Sequence, residues 1–449
     1  MIEFTILDIF LIFDYNINTM YKELKNSITL YYEDLGNRNG ETILFIHGNS
    51  EDHHLFDEYI DDFKDKYRLI LVDSRCHGLS TDTNELHYSS IEEDIILLLK
   101  ELDIRKCHII GSSDGAIISL LLSRDTDLVD KCFAIGPNIN PSGLLDSVIE
   151  DFKLREEDKY IKLMLNEPNI EPESLHLIKN RVILISGECD CIKKEHIDLI
   201  KDNIFNASNY VIKDANHFIV NNAKNKLMSI IIKELELDIY YEDNHVIVVD
   251  KKCGILSQED ITNTPNLLDI VKDYLKFKYD KPGNVYLSLI QRLDRNVSGL
   301  MVLAKTTKAN TRLNEIRPHK NYYAVVYGKP NKKEDTLVDF LLKDETRHMA
   351  YSGSDGKKAV LHYNVIEEKD NLSLLDISID TGRFHQIRYQ LSKIGYPIYN
   401  DMKYNPDIIG TSFELGLDAY KVTFIHPITK EEITIERKPR RDIFNKFNI

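Results

Sequence analysis

Six short apolar runs dominate the first half of the chain: "TILFIHG", "YRLILVD", "KCHIIG", "KCFAIG", "RVILISG" and "NYVIKDA". Each is a near-continuous series of Ile, Leu and Val that runs out at Gly or Asp. Strands buried on both faces read this way, whereas strands with one wet face alternate apolar and polar residues. Helical stretches separate the runs; "SIEEDIILLLKEL" opens with Ser90 and Glu93 at capping-box spacing. Strand–helix alternation predicts a doubly wound, mainly parallel α/β sheet. From about residue 238 the texture changes. "IYYEDNHVIVVD" and "KAVLHYNVIEEKDNLSLLDISID" read as antiparallel hairpins, the second turning at Lys369–Asn371, and helices fall at "NLLDIVKDYLKFKY", "TKANTRLNEI" and "FHQIRYQLSKI". That pattern is α+β with a mainly antiparallel sheet. The expected organisation is an extension at 1–20, with Met20 a candidate start, then domains at 21–237 and 238–449.

With 449 residues, two cores are expected in any case. The charge follows the same division. Of a net −16, the stretch from Asp238 onward holds 32 Lys+Arg against 30 Asp+Glu, leaving 25 against 43 for the rest. Any polyanionic partner therefore belongs to the second domain. Six Cys without a CxxC pair fit a reducing, cytoplasmic setting without disulfides. The opening "MIEFTILDIFLIFDYNINTM" is apolar but carries Glu3, Asp8 and Asp14 and no basic leader, which argues against a signal peptide or membrane span.

Chemistry appears first at "HIIGSSDGAIISLLL", where Gly111, Ser113 and Gly115 form G-x-S-x-G between a strand and a helix. Such a serine sits on a tight turn with its oxygen above the sheet, and the N–H of Asp114 at the new helix can face an oxyanion. A second donor is expected at Asn49, in "HGN". Downstream, "GECD" ends a strand at Asp190 and "DANHF" presents His217. With "FIHGN" and "DSRCHGLS" also in order, about 210 residues resemble the α/β-hydrolase family. The resemblance implies Ser113 as nucleophile, His217 as base and Asp190 as its orienter, acting on a small acyl substrate held as an ester or thioester. Cys76 and Asn216 depart from the family pattern, which has Gly at both places, and the stretch between about 140 and 178 is short for a substrate-covering cap.

The second domain opens its chemistry at "QRLDRNVSGLMVLAKT", where Asp294 lies between Arg292 and Arg295. A cation within about 4–6 Å keeps a carboxylate ionised by lowering its pKa about 1–3 units. "DKKCGILSQ", "HKNYYAVVYG", "TGRFHQIRYQLSKIGYPIYND" and "FIHPITKEEI" accompany it in order. Together these resemble the RluA-type pseudouridine synthases, again over about 210 residues. The resemblance implies isomerisation of uridine in ribosomal or transfer RNA with no metal and no cofactor. It makes Asp294 the catalytic carboxylate, Arg388 its partner and Tyr322 the ring against the base. Leu391 is expected in the pocket, and Arg292, Arg295, Lys320 and Arg383 on the RNA or ordering the site. Tyr322 and Tyr323 alternate along one strand, so one of them belongs to the core. Gln291, Lys252 and Gln390 depart from family usage without removing a required charge. "ERKPRR" reads as a solvated tail. Three readings stand: a fused synthase and hydrolase; a physiological hydrolase tethered to RNA by a non-catalytic module; and an RNA chaperone without either activity.

Overall fold

The structure is a computed structural model describing residues 18–260, 266–405 and 415–449. It divides into two compact units, Met1–Ile231 and Ile232–Ile449. The expected extension lies outside the described residues as far as residue 17. Its last three positions, Asn18 to Met20, belong to the first strand.

The first unit is built on β1 (Asn18–Glu23), β2 (Thr29–Gly36), β3 (Thr42–Ile46), β4 (Arg68–Val72), β5 (Cys107–Ser112), β6 (Val129–Ile135), β7 (Arg181–Gly187) and β8 (Ala207–Ile212). They form one sheet in the order β1-β2-β4-β3-β5-β6-β7-β8. The β1–β2 and β2–β4 pairings are antiparallel, and the remaining pairings, from β4 on to β8 in that order, are parallel. All six apolar runs of the sequence are strands of this sheet. Ile46, Val72, Ile109 and Leu184 from the strands pack with Ile91, Ile95, Ala116 and Leu120 from the helices. The capping box expected at Ser90 is absent. The helix starts two residues earlier, at Tyr88, and the Tyr88 N–H donates to Glu167 Oε2 at 3.1 Å. A carboxylate from a distant loop supplies the acceptor, and its charge suits the positive end of the helix.

The second unit contains β9 (Asp238–Glu242), β10 (Val246–Lys251), β11 (Ser288–Leu289), β12 (Ser298–Ala304), β13 (His319–Tyr327), β14 (Glu334–Asp344), β15 (Met349–Ser352), β16 (Lys357–Lys369), β17 (Leu372–Ile379), β18 (Leu417–Ile425) and β19 (Glu432–Glu436). The sheet order is β15-β14-β16-β17-β13-β18-β12-β10-β9, with β11 on β12 and β19 on β18. Every pairing is antiparallel except β12 with β18. The hairpin β16–β17 turns at Asp370, whose φ is 55°. Helices at Leu267–Lys278, Thr307–Glu315 and Gln386–Lys393 fill the expected stretches. Gly299 explains the Gly-led run after Asp294. A Cβ there would lie 2.4 Å from that of Ala419, so only glycine lets the parallel pair β12–β18 form.

"ERKPRR" is no tail. Arg437 is buried between Asp250 (2.6 Å) and Asp418 (3.1 Å), Arg440 reaches Asp250 and Asp238, and Arg441 donates to the Asn296 carbonyl at 2.6 Å. Two acids on β10 and β18 required cations, and this basic run supplies them. No helix among the described residues is long and apolar enough to cross a membrane.

Candidate active sites

In the first unit, Ser113 stands between β5 and the helix Asp114–Asp125 with φ 52° and ψ −113°. That left-handed turn is strained for any residue with a side chain, and it lifts the hydroxyl clear of the sheet. The flanking glycines are needed for space. A Cβ on Gly111 would lie 2.2 Å from the Gly115 carbonyl oxygen, and one on Gly115 2.1 Å from that of Ile46. His217 Nδ1 donates to Asp190 Oδ1 at 2.7 Å, which leaves Nε2 to accept from Ser113 Oγ at 3.0 Å. Asp190 is itself fixed by the N–H groups of Gly187 (3.0 Å) and Ile192 (3.2 Å). Burial by itself would lower the His217 pKa, but the hydrogen bond and charge of Asp190, with Cys191 adding to them, raise it above the ordinary value. Burial would raise the Asp190 pKa, yet its His217 and backbone hydrogen bonds leave it lowered. The pair thus favours an imidazolium at His217 over a neutral ring.

The expected oxyanion residues adjoin this triad. The Asn49 side chain donates to Asp114 Oδ2 at 2.8 Å, and Tyr88 donates to Asp114 Oδ1 at 2.8 Å. The buried Asp114 carboxylate therefore ties the "HGN" loop to the helix that follows Ser113. The backbone N–H groups of Asn49 and Asp114 have no backbone acceptor among the described residues. Cys76, which stands where the family pattern has Gly, adopts the glycine-like φ of 64°. Sequence reading missed Glu51, whose carboxylate accepts from the Gly48 N–H at 3.0 Å, and Tyr88. Neither lies in a motif that distinguishes it from a surface acid or a core aromatic.

In the second unit, the Asp294 loop is held at its backbone. Ser257 Oγ accepts from the Leu293 N–H (3.1 Å) and donates to the Leu293 carbonyl (2.7 Å). Lys251, fully buried, donates to the carbonyls of Arg295 (3.0 Å), Ile255 (2.7 Å) and Lys252 (3.1 Å). With Arg441 on Asn296, the carboxylate is presented from a pinned turn. Its partner is Arg388, whose Nη1 donates to Asp294 Oδ2 at 3.1 Å. Arg388 is gripped from behind by Asp401 through two bonds of 2.8 Å, Nε to Oδ2 and Nη2 to Oδ1. Burial would lower the Arg388 pKa, but Asp401 and Asp294 together raise it, so the guanidinium is permanently charged. Such bidentate carboxylate contacts fix orientation as well as charge.

His385 completes the cage. It precedes the helix Gln386–Lys393 in the left-handed region, φ 49°. Burial, and then the Arg388 charge, lower its pKa to about 3, so it is neutral. Its Nε2 accepts from Arg388 Nη1 at 3.0 Å while Nδ1–H donates to the Tyr404 hydroxyl at 3.0 Å. Tyr322 is buried on β13, and burial together with the Asp294 charge raises its pKa. Its ring is thus a protonated phenol beside the carboxylate. Tyr323, on the other face of the strand, is half-buried and stacks on Tyr420 with centroids 3.8 Å apart.

The residues expected on the RNA differ in exposure. Neither arginine flanking Asp294 pairs with it: Arg292 is exposed, and Arg295 is exposed with Nε on the Gly254 carbonyl at 2.9 Å. Both lie in the loop before β12, and the cation comes from a helix 94 residues on. Lys320 is 3% exposed with an ammonium that has no hydrogen-bond partner, and burial and nearby Lys251 lower its pKa to about 7. It cannot grip a phosphate from the surface. Leu391 is fully buried and offers an RNA no surface. Arg383 is exposed and bonds the Lys358 carbonyl through Nε at 3.0 Å, bracing its loop. His385, Asp401 and Tyr404 were missed as site residues, although the first two fall inside the motif that supplied Arg388.

With this geometry established, comparison with known proteins is informative. The family model for RNA pseudouridylate synthase matches residues 245–393, and that for the alpha/beta hydrolase fold matches residues 41–160. The uncharacterized RNA pseudouridine synthase YjbO of Bacillus subtilis is 30% identical over 234 residues, 50% of this chain and 80% of that protein. The ribosomal large subunit pseudouridine synthase C of Rickettsia felis is 30% identical over 241 residues, 51% of this chain and 75% of that protein. Among solved structures, MGS-M2, an alpha/beta hydrolase enzyme from a Medee basin deep-sea metagenome library, is 17% identical. The match covers 50% of this chain and 100% of that one, with a TM-score of 0.43.

Proposed function

Since the chain belongs, through its second unit, to the RNA pseudouridine synthase family, we propose that this unit isomerises uridine to pseudouridine in structured RNA, ribosomal or transfer, with Asp294 as the catalytic carboxylate. The observation that carries this reading is the Asp294–Arg388 pair at 3.1 Å, with Asp401 fixing the arginine from behind. In the isomerisation the C1′–N1 bond breaks, a C1′–C5 bond forms, C5 loses its proton and N1 gains one. The step calls for a carboxylate oxygen at the sugar–base junction, and Arg388 Nη1 holds Asp294 Oδ2 in place at 3.1 Å. Tyr322 offers a ring face for the base, and its protonated hydroxyl a hydrogen-bond donor. A uridine reaches a carboxylate recessed in this way only after leaving its stack. Exposed Arg292 and Arg295 beside the loop are the phosphate contacts of this reading, so binding weakens with salt. The test is carbodiimide mapping of pseudouridine in RNA incubated with the protein. Stops produced by the wild type and lost with Asp294→Ala support the reading; identical stops with both proteins refute it.

The assembled triad supports a second activity in the same chain, serine hydrolysis of a small ester or thioester at Ser113. Fluorophosphonate labelling that disappears in Ser113→Ala supports it. If that labelling is found while Asp294→Ala changes no RNA, the hydrolase is the physiological activity and the second unit an RNA-binding module.

A further inference from the structure

The acid of the triad is followed at once by a thiol. Asp190, Cys191 and His217 each offer one donor atom, and the three lie within 4.8 Å of one another. His217 faces Ser113 through Nε2 and the Asp190 carboxylate through Nδ1, and the Cys191 thiol belongs to the same cluster. The thiol is held in place by its own backbone. The Cys191 carbonyl accepts from the Leu145 N–H at 2.9 Å, the Cys189 N–H donates to the Ala215 carbonyl at 2.8 Å, and Ile192 bridges to Leu144. Cys191 is only part-buried, which leaves an ion a way in.

Thiolate, imidazole and carboxylate together form a donor set for zinc-class ions, which bind sulfur at about 2.3 Å and nitrogen or oxygen at about 2.0–2.2 Å. Donors around one such ion stand roughly 3.3–3.8 Å apart by those lengths, so adjustments of about an ångström bring these three around one. We propose that Asp190, Cys191 and His217 form a site for a thiophilic divalent cation, with water as fourth ligand, and that filling it switches off hydrolysis at Ser113. The switch, but not the site, rests on the hydrolase reading. On binding, the thiol loses its proton to solvent and the ion takes the Nδ1 lone pair. The one proton left on the ring is then on Nε2. The nitrogen facing Ser113 becomes a donor and can no longer accept the serine proton.

The test uses the full chain, with Zn²⁺ in equilibrium dialysis and Cd²⁺ read through its thiolate charge-transfer band in the ultraviolet. The wild type, Ser113→Ala and Cys189→Ser are expected to bind one ion with the thiolate band. Cys191→Ser and Cys191→Ala are expected to lose the band and bind at least about tenfold more weakly, on the scale of losing one ligand-shell group. Zn²⁺ is expected to inhibit turnover of a chromogenic ester by the wild type, with the inhibiting concentration raised at least about tenfold in Cys191→Ser. Equal binding by wild type and both Cys191 variants overturns the site. Ion binding without any Ser113-dependent esterase overturns the switch and the hydrolase reading while the site stands. Esterase activity indifferent to saturating Zn²⁺ overturns the switch alone.

Discussion

At Ser113 the reactive oxygen is a neutral hydroxyl lifted above a parallel sheet on a strained turn, its partners supplied by neighbouring strand ends. At Asp294 it is a charged oxygen in a pinned loop, held by an arginine from a helix 94 residues away. The first centre waits for a proton to move, and its histidine is placed to receive it. The second is built around a fixed ion pair. Its guanidinium is fixed by a second carboxylate, and the nearby histidine is held neutral. One fold offers strand-end loops that converge, which suits relay chemistry. The other offers a mixed sheet whose loops need cross-bracing, which suits a fixed electrostatic cage.

The sharpest way to break this comparison is to remove each reactive oxygen. Asp294→Asn should reduce pseudouridine formation, and Ser113→Ala ester hydrolysis, by about 10⁴-fold or more, the scale seen when a group acting in the transition state is lost. Each is measured by single-turnover rates, and the other activity should be unchanged. Next in size is Asp401→Ala. It strips Arg388 of its anchor and should slow the synthase about 10²-fold, as small misplacements do. It should also cost about 3–5 kcal/mol of stability in urea unfolding, because a buried charge loses its partner.

A smaller effect distinguishes the cage from the relay by pH. The His385 pKa is lowered to about 3, against about 6.5 in an unfolded chain. Between those values the unfolded state binds the extra proton, so stability falls as pH drops from about 6.5 towards 3, by up to about 1.4 kcal/mol per pH unit. Thermal melts of the full chain should show this slope, and His385→Gln should flatten it. Smallest is the pair on β13. Tyr323→Leu should cost roughly 0.5–1.5 kcal/mol from its lost stack on Tyr420 and leave synthase activity intact. Tyr322→Phe should lower activity with little change in melting.

How legible these centres were follows the same contrast. The triad could be read from the sequence because each member sits at a strand end with its own motif, and the parallel sheet brings strand ends together. The contact between Asp294 and Arg388 was legible through resemblance. The bracing was not, because His385 and Asp401 act through tertiary bonds that no spacing encodes. Lys320 and Leu391 were misplaced because a motif position does not say which way a side chain faces once a sheet packs over it. "ERKPRR" looked like a solvated run only while Asp250 and Asp418 were not known to lie buried opposite it. Likewise Glu167, far along the chain, replaced the local cap expected at Ser90.

The most direct test is a crossed assay of wild type, Asp294→Ala, Ser113→Ala and the double variant, scoring pseudouridine in RNA and turnover of an ester in parallel. The account predicts that Asp294→Ala loses only the first activity, Ser113→Ala only the second, and the double variant both. Pseudouridine formed undiminished by Asp294→Ala would contradict it.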